Sequence, residues 1–140
     1  MKILLPVDGS PFTRHMLAYL TAHDEWLVAG HEHTVVHVAS AVPPRAARVL
    51  DKATLLAYYD EQSQKVFKPV RSFFAQNKLE AKYVAKVGPA GEIIATLATK
   101  GKFDLVVMGS HGHGALSNLV MGSVANKVLA HCKVPVLLVR

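Results

Sequence analysis

The chain has 140 residues, of which 51% are hydrophobic and 19% are charged, so it is long enough to bury the core of one globular domain. No apolar run reaches the roughly 18 residues that a membrane-spanning helix needs, and Pro6 and Asp8 interrupt the apolar start too early for a secretory signal. The net charge of +6 comes from Lys and Arg residues spread along the chain, which argues against nucleic-acid binding and suits a domain that holds a polyanionic small molecule.

The first elements are a strand, a helix and a second strand. The strand covers Lys2 to Asp8, and Pro6 is expected to end it or to make it bulge. Ser10 suits the N-cap of a helix that runs from Pro11 to about His23. Thr34 to Ala39 is a β-branched run typical of a second strand.

The middle of the chain is predicted to be a loop followed by a long helix. Ser40 to Val49 contains two adjacent prolines and is predicted to be irregular. Asp51 to Asn77 has apolar residues at helical spacing, although Pro69 predicts a kink or a local break. Tyr58 and Tyr59 are interpreted as packing residues of this helix rather than as a stacking platform.

The remaining elements continue the alternation of strands and helices. They are predicted as a strand over Leu79 to Val87, a helix over Ala90 to Lys100 capped by Gly101, a strand over Asp104 to Gly109, a helix over Ser123 to Cys132 and a strand over Val134 to Val139. Such alternation predicts a single doubly wound α/β domain over residues 1–140, with a five-stranded parallel sheet covered by helices on both faces. Right-handed crossovers give the strand order 3-2-1-4-5. Ligands then bind at the carboxyl ends of the first and fourth strands, where the order reverses.

A glycine-rich segment follows the fourth strand. Gly109, Gly112 and Gly114 lie in it, and Gly122 and Ser123 open the next helix. Glycines permit close backbone approach and positive φ, and a helix start favours anions, so the segment predicts a nucleotide-phosphate site rather than a loop without function. It is neither a Walker A loop nor a G-x-G-x-x-G fingerprint.

Other candidate residues allow more than one interpretation. Asp8 faces the same crevice, either closing an Asx-type turn or contacting a ribose hydroxyl or base. His111 and His113 resemble the His-x-Gly-His motif of nucleotidyl transferases, but that motif follows the first strand. For His33 and His37 a polar strand edge is favoured over metal ligation, because no carboxylate or cysteine completes a set. No catalytic residue and no protein metal site is therefore predicted.

The lone cysteine, Cys132, excludes a disulfide framework and a thiolate metal cluster. A buried spectator thiol is favoured over a nucleophile, because His131 is the only base nearby in sequence. A reduced, cytoplasmic setting is therefore expected.

Four segments resemble the universal stress protein family along nearly the whole chain: ILLPVDGS, VVHVA, DLVVMGSHGHG and GSVANKVLAHCKVPVLLVR. The spacing Gly109-x2-Gly112-x9-Gly122-Ser123 is similar to that of its ATP-binding branch. The resemblance implies a Rossmann-like fold of the adenine nucleotide alpha-hydrolase type that binds ATP with Mg or Mn. The binding residues that it implies are Pro6, Asp8, Val38, Met108, Gly109, Gly112, Gly122, Ser123 and Val124. Further candidates for phosphate contacts are Ser110, His111, Arg45 and Arg48.

The resemblance implies a nucleotide-dependent sensor or regulator in stress response, with at most slow ATP hydrolysis. Two alternatives are an adenylyl or phosphoryl transferase on the same fold, and a dimeric interaction module with a vestigial nucleotide site. The apolar run Val134 to Val139 at the predicted sheet edge predicts a homodimer through the last strand, as the family also implies.

Overall fold

The computed structural model of the chain describes residues 1–114 and 120–140 and contains one parallel sheet in the strand order 3-2-1-4-5. Its strands are β1 (Lys2–Pro6), β2 (Glu32–Ala39), β3 (Ala81–Val87), β4 (Leu105–Gly109) and β5 (Val136–Val139). The predicted order is confirmed. The point where the order reverses lies between β1 and β4, which pair directly through Ile3 and Leu105.

Helices cover both faces of the sheet, as predicted. They are α1 (Pro11–Ala22), α2 (Pro44–Val49), α3 (Lys52–Gln76), α4 (Ala90–Lys100) and α5 (Ser123–His131), and a single 3-10 turn covers Asp24–Leu27. Alternate residues of β1 point to opposite faces, so Leu5 belongs to a core with α1 and α3, whereas Leu4 belongs to a second core with α4 and α5. The site at the strand ends therefore rests on a sheet that is packed from both sides.

The short helix α2 corrects the prediction of an irregular segment over Ser40 to Val49. Pro44 is the first residue of α2 and Pro43 its N-cap. The missing N–H of a proline costs no intrahelical bond in the first turn, so the two prolines start a helix here. All six residues of α2 remain exposed or half-buried, which explains why no apolar periodicity predicted it.

The long helix α3 continues through Pro69 to Gln76, so the predicted break there is wrong, while the alternative of a kink stays a prediction. Phe67, Val70 and Phe74 are almost completely buried on either side of Pro69, and they hold the helix against the sheet. At the other end, the Asp51 carboxylate accepts the Thr54 N–H at 2.6 Å and caps the helix. Tertiary packing therefore outweighs the local cost of the proline.

The two edges of the sheet differ in charge. β3 forms one edge and exposes Lys82 and Lys86. β5 forms the other edge, and Val136, Leu137 and Leu138 are half-buried there without a charged residue in the strand. Within the described ranges, no helix is both long and apolar enough to cross a membrane.

Candidate functional site

A cavity of about 530 Å³ opens at the carboxyl ends of β1, β2 and β4. Its wall continues along the first part of α3, the starts of α4 and α5, and the glycine-rich segment after β4. The volume is in the usual range for small-molecule sites. The cavity lies where the strand order reverses, which is the position that the sequence predicts for a ligand.

Most of the predicted binding residues meet in this wall: Pro6, Asp8, Val38, Met108, Gly109, His111, Gly112, Gly122, Ser123 and Val124. Ser110 lies behind the wall, 2% exposed, with its Oγ 2.9 Å from His111 Nδ1. Arg45 and Arg48 are exposed on α2, and the structure does not bring them to the cavity. Among the described residues, the wall contains no Lys or Arg.

Gly109 and Gly122 allow the glycine-rich segment to pack closely against adjacent parts of the chain. The Gly122 N–H donates to the Ser110 carbonyl at 2.7 Å, and a Cβ at Gly122 would lie 3.0 Å from His111 Cα. A Cβ at Gly109 would lie 2.7 Å from the Cβ of Phe12 in α1. The segment from residue 115 to residue 119 lies outside the described residues. These two glycines therefore shape the cradle, and the Gly122 N–H is already used within it.

Positive φ is confined to one of the three glycines for which the sequence suggests it. Gly114 has φ 74°, whereas Gly109 and Gly112 adopt ordinary values. A Cβ at Gly112 would instead overlap the Asp8 carboxylate. Close approach therefore explains Gly112, and backbone conformation explains Gly114.

The start of α5 supplies hydrogen-bond donors to the cavity. The first bond within the helix runs from the Asn126 N–H to the Gly122 carbonyl at 3.0 Å. The N–H groups of Ser123, Val124 and Ala125 therefore have no partner inside the helix, and all three residues line the cavity. With the positive end of the helix dipole, they form a site for an anion that does not need a cationic side chain.

Asp8 closes the turn between β1 and α1, so the structural interpretation of this residue is correct. Its Oδ1 accepts the Ser10 N–H at 2.9 Å and the Thr13 hydroxyl at 3.0 Å. Ser10 is the N-cap residue of α1, but its hydroxyl does not cap the helix. Burial raises the pKa of Asp8, but the hydrogen bonds from Ser10 and Thr13 and the nearby His113 outweigh it, so the pKa is lower than usual. Asp8 is therefore an anion at neutral pH.

The two histidines of the glycine-rich segment contact the protein. His113 donates its backbone N–H to Asp8 Oδ2 at 3.2 Å, and its Nε2 donates to the Asp8 carbonyl at 2.7 Å. The His111 ring lies 4.9 Å from the ring of Phe12, between their centroids. Both imidazoles thus help to hold the segment on α1 and on the turn after β1.

The interpretation of His33 and His37 as a polar strand edge is wrong. Both lie on β2, which is inside the sheet between β1 and β3. His33 bonds to the Trp26 carbonyl at 2.8 Å, and His37 Nδ1 bonds to the Val7 carbonyl at 2.9 Å. Backbone carbonyls of other elements therefore bond to one nitrogen of each ring, while His33 Nδ1 is buried without a partner among the described residues. Among the residues that the structure describes, no group of three or more His, Cys, Asp or Glu side chains is placed to hold a metal ion.

Sequence reasoning missed one side of the cavity. This side is lined by His37 of β2, by Ser40 directly after β2, and by Tyr58 and Gln62 of α3. Tyr58 and Gln62 are four residues apart and so share a helix face. A signal for this side was present in the sequence. A helix that connects two parallel strands starts near the carboxyl end of the first strand, which places the first turns of α3 beside the cavity.

The known proteins that this chain resembles in sequence belong to one family. A family model described as the universal stress protein family matches residues 1–140. A universal stress protein of Thermus aquaticus is 32% identical over 138 residues, which cover 99% of this chain and 97% of the relative. The universal stress protein Slr1230 of Synechocystis is 40% identical over 139 residues, which cover 99% of this chain but 42% of the relative. The chain therefore spans less than half the length of some relatives that it matches.

Solved structures share the fold at lower identity. Universal stress protein UspA from Lactobacillus plantarum has a TM-score of 0.81 at 21% identity, covering 100% of this chain and 97% of that one. A universal stress protein from Archaeoglobus fulgidus in complex with dAMP has a TM-score of 0.66 at 20% identity, covering 100% and 98%. A family protein from Arabidopsis thaliana with AMP bound has a TM-score of 0.69 at 16% identity, covering 99% and 90%.

Proposed function

Since the chain belongs to the universal stress protein family, we propose that it binds ATP and acts as a nucleotide-dependent sensor or regulator in stress response. The observation that carries this proposal is the cavity at the strand switch, with the N–H groups of Ser123, Val124 and Ala125, which have no partner inside α5, at one end. Two structural neighbours hold the adenine nucleotides dAMP and AMP, which supports the same ligand class here.

The phosphates belong at the α5 end of the cavity. There the helix dipole and the N–H groups favour negative charge, whereas Asp8 at the end of β1 is itself an anion. Asp8 thus favours the ribose hydroxyls or the base beside it. Val38 and Met108 belong to the apolar core beneath the cavity and provide a surface for the nucleoside.

A divalent ion, Mg or Mn, fits as a companion of the phosphates. Asp8 is the one carboxylate among the described wall residues, and both of its oxygens already accept hydrogen bonds from the chain. The ion would therefore take its ligands from phosphate oxygens and water, as Mg²⁺ commonly does. Asp8 and His113 are bonded to each other, so neither is poised to activate a water molecule, and we expect ATP hydrolysis to be slow at most.

Ser123→Asp tests the phosphate position without a threat to folding. Ser123 is exposed at the first position of α5, where a carboxylate stabilises a helix. The same carboxylate would repel phosphate, so the affinity for Mg-ATP should fall by about 10-fold or more. Isothermal titration calorimetry measures the effect. Asn126→Asp is the matched control, because Asn126 is exposed in the first turn of α5 but does not line the cavity.

Two results would overturn the proposal. One is a wild-type protein that shows neither heat of binding nor a shift in melting temperature at millimolar Mg-ATP. The other is equal ATP affinity in Ser123→Asp and Asn126→Asp. Gly122→Val is a second, steric test. Its side chain would push the start of α5 away from Ser110 and His111, so the affinity for ATP should be lost. Circular dichroism reports whether the variant keeps its fold.

We also propose that β5 mediates a homodimer. The strand lies at the edge of the sheet, and its apolar residues are half-buried in the single chain. Pairing of two copies across a two-fold axis would cover this edge. Light scattering after size exclusion should give twice the mass of one chain at micromolar concentration, and the Leu137→Lys variant should give the mass of one chain. A wild-type monomer under these conditions would refute the dimer.

A further inference from the structure

The start of α3 extends past the sheet and becomes a wall of the cavity. The fully buried residues of α3 begin only at Ser63 and continue with Phe67, Val70 and Phe74, which face the core. The residues before Ser63 are exposed or half-buried. Tyr58 and Gln62 are in this first part, one turn apart, and both line the cavity. The buried part of α3 thus holds the first part in place, while the side chains of the first part remain outside the core.

The two adjacent tyrosines of α3 have different roles, although the sequence suggests packing for both. The Tyr59 hydroxyl accepts the Val42 N–H at 2.8 Å and anchors the segment after β2. Tyr58 is 46% exposed and turns toward the cavity, with its ring tilted 58° from that of Tyr59. An aromatic face left open beside a ligand cavity is a surface on which a nucleobase can stack.

Gln62 brings an unpaired amide to the same wall. The residue is half-buried, and within the described part of the chain its side chain has no hydrogen-bond partner. By contrast, Gln64 on the outer side of α3 bonds to both Asp60 and Arg71. The Gln62 amide therefore offers one donor group and one acceptor group to a ligand.

His37 adds an oriented acceptor at the end of β2. Its Nδ1 lies 2.9 Å from the Val7 carbonyl, which can only accept, so Nδ1 carries the proton. In the neutral ring, Nε2 is then an acceptor. The His37 and Phe67 rings are nearly perpendicular, at 88°, with their centroids 6.4 Å apart, and this contact helps to fix the orientation of His37.

We propose that Tyr58, Gln62 and His37 form a base-reading wall that selects adenine. This inference rests on the proposed binding of a nucleotide. The wall is lined without Lys or Arg among the described residues, and it faces the cavity from the β2 side, whereas the phosphate donors lie on α5 after β4. The base therefore meets the wall when the phosphates are at α5.

The chemistry of the wall fits adenine better than guanine. Tyr58 stacks on the base, and the Gln62 amide pairs with the amino group and a ring nitrogen of adenine. The acceptor Nε2 of His37 suits the same amino group. Guanine places a carbonyl oxygen at that position, so two acceptors would face each other. An apolar pocket alone would not make this distinction.

The test compares ATP with purine-riboside triphosphate, which lacks the exocyclic amino group, and with GTP. We expect the wild-type protein to bind ATP about 10-fold more tightly than either analogue in isothermal titration calorimetry. Gln62→Met keeps the side-chain length but removes the amide, and it should reduce this preference to about 2-fold or less. Gln64→Met is the matched control and should keep the wild-type preference. Tyr58→Ala should weaken all three nucleotides by a similar factor.

The outcomes separate this inference from the proposed function. If the wild-type protein binds ATP and the analogues equally well, or if Gln62→Met leaves the preference unchanged, the base-reading wall is refuted while ATP binding stands. If the wild-type protein binds no nucleotide, both proposals fail. If Ser123→Asp weakens all three nucleotides while Gln62→Met removes only the preference, both are supported.

Discussion

The Nε2 of His113 lies 2.7 Å from the carbonyl oxygen of Asp8, and the His113 N–H lies 3.2 Å from the Asp8 carboxylate. Asp8 follows β1 and His113 follows β4, so these bonds join residues 105 positions apart across the point where the strand order reverses. The carboxylate is also bonded to Ser10 and Thr13. Asp8 thus connects three sides of the cavity, and the chain itself fixes the shape of the wall there.

Gly112→Ala is expected to lower the free energy of unfolding by about 1–3 kcal/mol, because the added methyl group would overlap the Asp8 carboxylate. Asp8→Ala removes that overlap, so the double variant should lose less than the sum of the two single variants. Urea unfolding of the four proteins gives the coupling energy as a double-mutant cycle. Strictly additive losses would show that the two residues do not meet as described.

Asp8 should contribute stability at neutral pH that is lost in acid. Its pKa in the folded protein is lower than usual, because hydrogen bonds from Ser10 and Thr13 outweigh the opposing effect of burial. As the pH falls below about 5, the unfolded chain takes up the proton first, and the contribution disappears as the pH passes through the lower folded pKa. Asp8→Asn should therefore show a shallower decline of unfolding free energy with acid pH than the wild type. Parallel curves would contradict the assignment.

His33 should make the protein less stable in mild acid. Burial lowers the pKa of His33, the Trp26 carbonyl partly opposes this, and the charges of His31 and the N-terminus lower it further. The unfolded chain then binds a proton at about pH 6.5 while the folded chain does not, so stability falls as the pH drops from about 6.5 toward the folded pKa. Thermal unfolding between pH 7.5 and pH 5 should show a smaller decline for His33→Gln.

A matched control for this series is His131→Gln, since His131 is exposed at the end of α5. It should keep the slope of the wild-type protein. A slope that changes equally in both variants would mean that the decline does not come from the buried imidazole.

Gly101→Ala is expected to cost about 1–3 kcal/mol of unfolding free energy. Gly101 caps α4 as predicted, but with φ −77°, so a left-handed conformation is not the reason for glycine. A Cβ there would lie 2.7 Å from the Leu97 carbonyl and against the Phe103 ring. Gly30→Ala is the control, because a Cβ at Gly30 meets nothing within 4 Å and should change stability by about 0.5 kcal/mol or less. Equal losses in urea unfolding would contradict the crowding at Gly101.

The order of the strands could be predicted because it depends on features that are local in sequence. Alternating strands and helices specify a parallel sheet, and crossover handedness leaves few arrangements. The cavity position follows from the same argument. What escaped was set by packing: α3 continues through Pro69 because Phe67, Val70 and Phe74 hold it to the sheet. A proline inside a helix has an energetic cost that the nearby sequence reveals. The burial that offsets this cost depends on the rest of the fold, which the nearby sequence does not reveal.

The candidate site shows the same contrast between features that are local in sequence and features that depend on contacts between distant residues. The glycine spacing drew attention to Gly112 and Gly122, but their reason in the structure is contact with Asp8 and with the Ser110–His111 backbone. The partners of His33 and His37 are carbonyls in other elements, which no strand pattern reveals. Tyr58 and Tyr59 are neighbours in sequence, yet the helical turn of 100° per residue sends one to the cavity and the other to the segment after β2.

The unequal edges of the sheet limit how copies of this chain can associate. Lys82 and Lys86 on β3 would face the same lysines of another copy, and this like-charge repulsion opposes pairing there. The β5 edge has no such barrier among its strand residues. If two copies pair through β5 as proposed, each uses the edge that has no such charges, and assembly would end at two chains. Such pairing would prevent open-ended polymerisation into fibres, although the chain has an apolar strand at the border of its sheet.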